Sequence, residues 1–296
     1  MKRIVVLGNG FDIDLGLKTR YTDFLRSEVY KKHLVKPNDV MIKQSGFDER
    51  YTHNLFNYFA EQNRIQKSTW GGIESSLFEL SRNNGRCYTI KGTRIGEKIV
   101  CHPNDYDDYL DNSFSLIKKV FMEYLNCLDY SRINEESNAY KLFYDIAFDT
   151  QTEIITFNYT SLSKLTKKDI VANIHHIHGS LEEGWIILGY QPTIDHRGEY
   201  VKMEKSNDPH WQGNKLFEKL KIADEIVFFG LSFADSDMWY FEDFFKAIAR
   251  GSVMRKRVVL YCYSLNSFGY IHDRIQKVCN YNDFVKNVNL ETKFAV

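Results

Sequence analysis

The chain has 296 residues, of which 43% are hydrophobic and 26% charged, so it is long enough for one large domain or two small ones. Its 39 basic and 39 acidic side chains balance, which argues against nucleic acid or an anionic membrane as the main partner. No apolar run approaches the roughly 20 residues of a membrane span, and the first apolar stretch is too short for a signal peptide, so we expect a cytoplasmic protein.

Four stretches read as strands that are buried on both faces. Residues 3–8, 152–158, 225–230 and 257–264 are β-branched, aromatic or otherwise apolar nearly throughout. They lack the alternation of a half-exposed strand, which is typical of a parallel sheet covered on both faces. Weaker strand candidates lie at residues 173–179 and 185–190.

Helical patterns lie between these strands. Residues 208–223 precede the third strand, and residues 237–251 follow it and end on Gly251, a residue typical of a helix C-terminus. The alternation predicts an α/β fold of the Rossmann-like, doubly wound kind with a mainly parallel sheet.

The stretch from about residue 30 to residue 147 is more polar and aromatic. Apolar residues have helical spacing at 54–66, 71–82 and 104–128. We interpret this stretch as a helical insertion or cap within a single domain of residues 1–296.

A glycine turn, Gly8-Asn9-Gly10, follows the first strand. Glycines let a phosphate approach the N–H groups at a helix start, but Ile13 stands where the dehydrogenase fingerprint has its third glycine. The alternative is a tight turn, with Asp12 capping the helix.

The second strand ends in "TFNYT", which puts Asn158 at its carboxyl end. In open α/β sheets ligands bind beyond this edge, and an Asn amide can orient a ribose hydroxyl or a water. The alternative is an Asn that caps the next helix.

The stretch "NIHHIHGS" contains three histidines. Strand alternation would put His176 and His178 on one face. Without a carboxylate or Cys at suitable spacing, and with five cysteines that form no C-x-x-C, we predict no metal site. A histidine before a glycine at a strand end suits a general base, and structural hydrogen bonding is the alternative.

The stretch "GLSFADSD" has the same pattern as the first strand and its turn: an apolar strand is followed by a glycine, then by polar residues and a helix. Gly230 and Ser232 could contact a ribose or phosphate, whereas Asp235 and Asp237 could be helix N-caps.

Taken in order, these four motifs resemble the sirtuin-like NAD-binding fold, which has a Gly-Ala-Gly turn, then Thr-Gln-Asn-Ile-Asp, a His-Gly pair and a Gly-Thr-Ser stretch. More closely, "LGNGFDIDLGLKTRYTDF", "TWGGIE", "TFNYT", "HIHGS" and "GLSFADSDMWYF" resemble the bacteriophage abortive-infection AbiH family, which belongs to that sirtuin-like group. The resemblance spans residue 1 to about residue 245.

The resemblance implies NAD⁺ or a related nucleotide lying across the strand ends, as substrate and without a metal. It assigns the pyrophosphate to Gly8, Asn9 and Gly10. It assigns the adenosine half to Gly230 and Ser232. Further binding residues that it implies are Asp12, which would border the ribose, and Thr19, Tyr21, Thr156, Phe157 and Asp237.

The implied reaction is hydrolysis of the nicotinamide–ribose bond to nicotinamide and ADP-ribose. Asn158 would hold the water or the ribose hydroxyls, and His178 would take the proton. Because uncontrolled loss of NAD⁺ is lethal, the activity would be latent and triggered by phage infection or through homo-oligomerisation.

Two departures from the sirtuin pattern bear on this reading. The absence of C-x-x-C removes the sirtuin zinc ribbon and puts peptide deacylation in doubt. Asn158 is followed by Tyr159-Thr160 instead of Ile-Asp, so the nicotinamide pocket differs or is absent.

Two other functions stay open. One is a module that binds NAD or ADP-ribose without chemistry. The other, less favoured, is a nucleic-acid-acting effector, for which residues 254–257 ("MRKR") are the one dense basic run.

In the insertion, Trp70 and Glu74 share a helix face by their spacing. The resemblance suggests that they reach the pocket, and a packing Trp with a surface Glu is the alternative.

Overall fold

A computed structural model describes residues 1–34, 41–44, 47–50, 55–66, 72–82, 103–191, 201–213 and 215–294. Trp70 lies outside the described residues. The strands are β1 (Arg3–Leu7), β2 (Met41–Gln44), β3 (Phe47–Arg50), β4 (Thr152–Thr156), β5 (Asn173–His176), β6 (Gly179–Ser180), β7 (Trp185–Ile186), β8 (Glu225–Phe229), β9 (Lys256–Cys262) and β10 (Val288–Phe294).

The α-helices are α1 (Asn9–Asp14), α2 (Tyr21–Arg26), α3 (Glu28–Lys31), α4 (Leu55–Gln66), α5 (Gly72–Arg82), α6 (Pro103–Asn126), α7 (Asn138–Ile146), α8 (Leu216–Ile222), α9 (Asp235–Met238), α10 (Glu242–Ala249), α11 (Leu265–Val278) and α12 (Tyr281–Lys286). Short 3₁₀ helices lie at Tyr130–Arg132, Leu162–Leu165, Val201–Met203 and Lys205–Asn207.

The chain divides into two compact units. The first contains Met1–Leu17, Asp129–Trp185 and His210–Val296, and the second contains Lys18–Leu128 and Ile186–Pro209. The sequence suggested a single domain with an insertion at about residues 30–147, and this division stays a prediction. The second unit covers residues 18–128 and also takes in residues 186–209.

The first unit contains a six-stranded sheet in the order β10-β9-β8-β1-β4-β5. Each recorded pairing within it is parallel. The chain leaves β1 on one side for β4 and β5, and later adds β8, β9 and β10 on the other side. The point where the direction reverses, between β1 and its two neighbours, is a topological switch point.

Apolar side chains fill both faces of this sheet. Ile4 and Val6 of β1 pack with α8, α10, α11 and α12 on one face. Val5 and Leu7 pack with α1 and α7 on the other face. Because successive strand residues point to opposite faces, a strand that is buried on both sides must be apolar throughout, as the sequence pattern indicated.

The four strands predicted from apolar runs are confirmed as β1, β4, β8 and β9. Residues 173–179 yield the short β5 and the first residue of β6. Residues 185–190 yield β7, which pairs with β6 outside the six-stranded sheet. The sequence pattern missed β10, because it lies at the sheet edge and four of its seven residues are polar.

Helix boundaries agree less closely with the prediction. The helix expected at 208–223 is confined to α8, since Pro209 and the left-handed Gly213 (φ +73°) precede it. The helix expected at 237–251 is broken into α9 and α10. It ends as expected at Gly251, which has a φ of +66° and donates its N–H to Ile248 O at 2.8 Å.

The second unit is helical and aromatic. Helices α4, α5 and α6 match the three helical patterns of the insertion. The Phe24 ring lies 4.9 Å from the rings of Tyr30 and Phe121, and the Tyr30 hydroxyl donates to Phe56 O at 2.5 Å. Aromatic side chains therefore supply much of the core of this unit.

At the amino edge of the sheet, the carboxylate of Glu225 is 2% exposed. It accepts a hydrogen bond from Arg3 Nε at 2.8 Å and forms an ion pair with Arg257 Nη1 at 2.9 Å. Because each of these residues begins or nearly begins a strand, the three charges join β1, β8 and β9 at one end.

We expect Glu225→Gln to lower the free energy of unfolding by about 1–3 kcal/mol, because a buried carboxylate that neutralises two guanidinium groups is lost. Urea denaturation measures the loss. Glu291→Gln is the matched control, since Glu291 pairs with the same Arg257 but is 39% exposed, and it should cost less than about 1 kcal/mol. Equal losses in the two variants would contradict the assignment.

Candidate functional site

Two glycine turns meet at the carboxyl edge of the sheet, where β1 and β8 end side by side. Gly8 donates its N–H to Phe229 O at 2.9 Å, and Gly10 donates to Gly230 O at 3.0 Å. A Cβ on Gly10 would lie 2.5 Å from Gly230 Cα, and a Cβ on Gly8 would lie 2.7 Å from Gly230 O. The two backbones are therefore in direct contact, which only glycine permits.

The N–H groups that the sequence assigned to a phosphate have partners within the chain. Besides Gly8 and Gly10, Phe11 donates its N–H to Gly8 O at 2.9 Å, and Asn9 also has an interaction within the chain. This hydrogen bonding favours the alternative reading of a tight turn. Asp12 is not the cap of that turn, because Gly8 is the N-cap of α1 and Asp12 lies within the helix.

Asp12 forms the centre of a buried polar cluster. Its side chain is 2% exposed. Thr160 Oγ1 donates to Asp12 Oδ2 at 2.8 Å, and Asn158 Nδ2 donates to Asp12 Oδ1 at 3.1 Å. We call these three residues the Asp12 cluster.

Burial raises the pKa of Asp12 to about 7, although the hydrogen bonds from Thr160 and Asn158 act in the opposite direction. No described Lys or Arg forms an ion pair with Asp12 to offset its burial. A carboxyl group that titrates near neutrality at the switch point of a parallel sheet is a candidate functional group.

Asn158 connects the cluster to the sheet. Its Nδ2 also donates to Gly8 O at 3.1 Å, and its own N–H donates to Thr156 Oγ1 at 3.1 Å. Phe157 donates its N–H to Leu7 O at 2.9 Å, which extends the pairing between β1 and β4. Asn158 does not cap the next helix, because Ser161 is the N-cap of that helix.

The amide oxygen of Asn158 is unsatisfied. Asn158 is 6% exposed, and its Oδ1 accepts no hydrogen bond from the part of the chain that the structure describes. Because an unpaired buried acceptor costs about 1–3 kcal/mol, such an atom is expected to have a water or a ligand as its donor.

The histidines do not follow the predicted strand alternation, because β5 ends at His176 and His178 lies in the turn beyond it. His176 Nδ1 lies 3.2 Å from Asn158 O. His178 Nε2 lies 3.2 Å from the Tyr240 hydroxyl, and its ring packs against Phe157 and Tyr159 at centroid distances of 5.4 and 6.3 Å.

The loop after β8 has an unusual backbone. Phe233 is fully buried and has a φ of +50°, a left-handed value that is uncommon outside glycine. Arg274 of α11 donates from Nε to Phe233 O at 2.8 Å and forms an ion pair with Asp235. The loop is therefore held by a buried arginine.

The other residues predicted for this loop lie close together. Ser232 Oγ accepts a hydrogen bond from Ala234 N–H at 3.4 Å. Ala234, which has no side-chain acceptor, is the N-cap of α9. Asp235 and Asp237 lie in the first turn of this helix and are not its caps.

Three predicted residues lie in the second unit. Thr19 is buried, and the Tyr21 hydroxyl donates to Glu74 Oε1 at 3.4 Å. Glu74 is itself paired at 2.8 Å with Lys205, whose side chain is 1% exposed. Glu74 is thus part of a buried ion pair, and the sequence offered no signal for Lys205.

The structure thus brings together Gly8, Gly10 and Gly230 as one backbone contact, and Asp12 with Asn158 as one polar cluster. Thr160 and Tyr240 were missed by the sequence reading. Thr160 lies two residues after Asn158 in "TFNYT", so its place in the same strand-end motif could have found it. Nothing in the sequence pairs Tyr240 with His178.

Among the described residues, no three or more His, Cys, Asp or Glu side chains are grouped so as to hold a metal ion. None of the described helices combines the length and apolarity needed to cross a bilayer.

The fold and the site define the class of this protein: a mixed α/β protein with a six-stranded, mainly parallel sheet and a buried polar cluster at its switch point. The chain belongs to the bacteriophage abortive infection AbiH family, whose family model matches residues 4–259. Membership indicates a role in abortive infection against bacteriophage. No curated protein and no solved structure matches the chain.

We expect Gly230→Ala to destabilise the protein by at least about 3 kcal/mol or to prevent folding. Gly230 has a φ of +69°, and an added Cβ would lie 2.3 Å from Phe11 N, a backbone atom that cannot move aside cheaply. Thermal unfolding measures the effect.

Gly269→Ala is the matched control for this substitution. Gly269 lies in α11 with nothing within 4 Å of an added Cβ, so alanine should leave stability unchanged or raise it by up to about 1 kcal/mol. A Gly230→Ala variant as stable as this control would contradict the backbone contact.

We expect Asp12→Asn to stabilise the protein increasingly as the pH rises from 5 to 8. Because the folded protein holds the Asp12 proton up to about pH 7 and the unfolded chain releases it near pH 4, wild-type stability falls between these values. The difference reaches at most about 4 kcal/mol, at about 1.4 kcal/mol per pKa unit. Urea unfolding at several pH values measures it.

Asp14→Asn is the matched control, because Asp14 lies on the same helix and its Oδ2 accepts a hydrogen bond from Ala139 N–H at 2.8 Å. If Asp12→Asn gained no more stability with rising pH than Asp14→Asn, the buried position of the Asp12 carboxyl would be disproved.

Proposed function

We propose that this protein is an abortive-infection effector that hydrolyses NAD⁺ to nicotinamide and ADP-ribose. The observation that carries the proposal is the Asp12 cluster at the switch point, with an unsatisfied amide oxygen on Asn158. Open α/β sheets bind their ligands at this place, and family membership supplies the abortive-infection context.

We further propose that the sheet is of the Rossmann-like, sirtuin-like kind. Numbered along the sheet by their order in the chain, its strands read 6-5-4-1-2-3, which is the order of doubly wound dinucleotide-binding sheets. The order of the motifs, glycine turn, "TFNYT", "HIHG" and "GLSF", supports the sirtuin-like assignment.

The reaction does not require a strong general acid. The bond between nicotinamide and ribose breaks with both electrons going to the pyridinium nitrogen, so nicotinamide leaves as a neutral molecule. The ribose passes through a cationic, oxocarbenium-like state, and a water supplies the new bond to its anomeric carbon. The protein must hold the ribose, exclude other nucleophiles and accept one proton from the water.

Asn158 is the residue best placed to hold the reacting groups. Its Nδ2 is fixed by Gly8 O and Asp12, so the amide plane is set and Oδ1 is left to accept from a water or a ribose hydroxyl. His178 lies on the adjoining turn, and its contact with Phe157 puts it beside the Asn158 loop. Both residues are proposed to flank the nicotinamide ribose.

We revise the role that we propose for the glycine turns. Because the N–H groups of Gly8 and Gly10 are bonded to the β8 turn, we propose that these turns shape the floor of the site. The other proposed binding residues of the first unit, which are Thr156, Phe157, Gly230, Ser232 and Asp237, keep the roles that the resemblance implies.

Nicotinamide release by the purified protein incubated with NAD⁺ tests the function. We expect Asn158→Ala to lower the rate by about 10²-fold or more, a loss of the size that general base catalysis and positioning supply. Asn173→Ala is the control, because Asn173 is exposed at the amino end of β5.

Because the activity is proposed to be latent, the assay is repeated in cells exposed to phage, with NAD⁺ and nicotinamide measured over time. Wild-type protein that releases no more nicotinamide than Asn158→Ala under both conditions would refute the proposal. Tight ADP-ribose binding by calorimetry, with NAD⁺ intact after long incubation, would instead support a binding module.

A further inference from the structure

The hydrogen bonds of the Asp12 carboxylate suit a role as proton acceptor better than a role as a direct contact to the ligand. Its two oxygens each accept one hydrogen bond, from Asn158 and from Thr160. Thr160 is 3% exposed, and a threonine hydroxyl that donates its proton still has lone pairs with which to accept another. A path for a proton therefore runs from Thr160 Oγ1 to Asp12 Oδ2.

We propose, resting on the NAD⁺ hydrolysis proposed above, that Asp12 accepts the proton of the attacking water through the hydroxyl of Thr160. This assigns the base to the Asp12 cluster, whereas the sequence reading gave it to His178. Asn158 holds the ribose and Asp12 together, since one amide contacts the carboxylate through Nδ2 and leaves Oδ1 for the substrate.

The water oxygen forms a bond to the anomeric carbon of the ribose as the bond to nicotinamide breaks, and the electron pair of that bond goes to the nicotinamide nitrogen. The water proton passes to Thr160 Oγ1, and the Thr160 proton passes to the Asp12 carboxylate. Asp12 becomes a neutral acid and later releases its proton to solvent.

Contacts around His178 support this assignment. Its Nε2 lies 3.2 Å from the Tyr240 hydroxyl, and three aromatic rings, those of Phe157, Tyr159 and Tyr240, surround it. These contacts suit a residue that shapes the wall of the site. We therefore treat His178 as a positioning residue.

Among the described residues, three titratable side chains are linked to the Asp12 cluster, either directly or through neighbouring residues. Tyr130, in the 3₁₀ helix Tyr130–Arg132, has its pKa raised by burial and by the Asp12 charge. His176 contacts Asn158 O at the end of β5. Glu182 accepts hydrogen bonds from Ser161 and Ser163, which lower its pKa below the ordinary value although partial burial acts in the opposite direction.

The raised pKa of Asp12 agrees with this role. A base is most effective when its pKa lies near the working pH, and that of Asp12 is about 7. The carboxylate form needed to accept a proton is thus substantially populated at neutral pH.

The experiment measures kcat and KM for NAD⁺ from pH 5.5 to 8.5, under conditions in which the wild type turns over. We expect the wild-type kcat to fall as the pH drops below about 7, because Asp12 becomes protonated. We expect Asp12→Asn, which keeps the shape but replaces one accepting oxygen by an NH2 group that cannot take up a proton, to lower kcat by about 10²-fold or more. Its KM should change less than about threefold, and its residual rate should lose the pH dependence.

A second pair of variants tests the relay. Thr160→Val removes the hydroxyl at constant shape and should lower kcat, whereas Thr160→Ser should restore most of it. Asp14→Asn, on the same helix, is the control with an unchanged rate. Thermal unfolding at pH 5.5 checks that each variant is folded.

The experiment distinguishes a failure of this inference from a failure of the proposed function. Turnover by the wild type, with Asp12→Asn retaining both its rate and its pH profile, overturns this inference and leaves the proposed function standing. Wild-type protein without turnover under any condition overturns both. Loss of rate in Thr160→Val without rescue by Thr160→Ser overturns the relay.

Discussion

The contact between the backbones of Gly10 and Gly230 is the constraint on which the rest of the site depends. Two strands can end side by side in a parallel sheet and still diverge, but here the turns after β1 and β8 touch with no room for a Cβ on either side. This contact fixes where α1 begins. The position of Asp12 follows, because Asp12 lies two residues beyond Gly10 in a helix of only six residues. The glycines that resemble a phosphate cradle thus act through packing.

The sheet has a buried carboxyl group at each end of its strands, and the two groups have different partners. At the amino edge, the buried carboxylate of Glu225 is paired with the guanidinium groups of Arg3 and Arg257. At the carboxyl edge, Asp12 is buried with an amide and a hydroxyl as its hydrogen-bonding partners. Because neutral donors offset burial only in part, the second carboxyl is poised between its two protonation states. A buried carboxyl group therefore joins strands at the amino edge and is available for chemistry at the carboxyl edge.

The sequence predicted the centre of the fold well, because strands that are buried on both faces must be apolar throughout. The residues of β1, β4, β8 and β9 carry that pattern. The edge strand β10 has one solvated side, so its composition resembles a loop. The site was predicted in part. Asn158 and Asp12 stand in recognisable motifs, but their contact joins residues 146 positions apart. The partners of His178 and Glu74 depend on packing between distant segments, for which one sequence has no local signal.

The positive φ of Phe233 has a consequence for the end of the chain. A phenylalanine in this conformation costs about 1–3 kcal/mol unless its surroundings hold it, and Arg274 of α11 holds it through its carbonyl oxygen. The family model ends at residue 259, before α11 begins. The segment that follows residue 259 therefore adds β10 to the sheet and, through Arg274, holds the loop after β8 in its left-handed conformation. Relatives that differ in this segment would have to brace the same loop in another way.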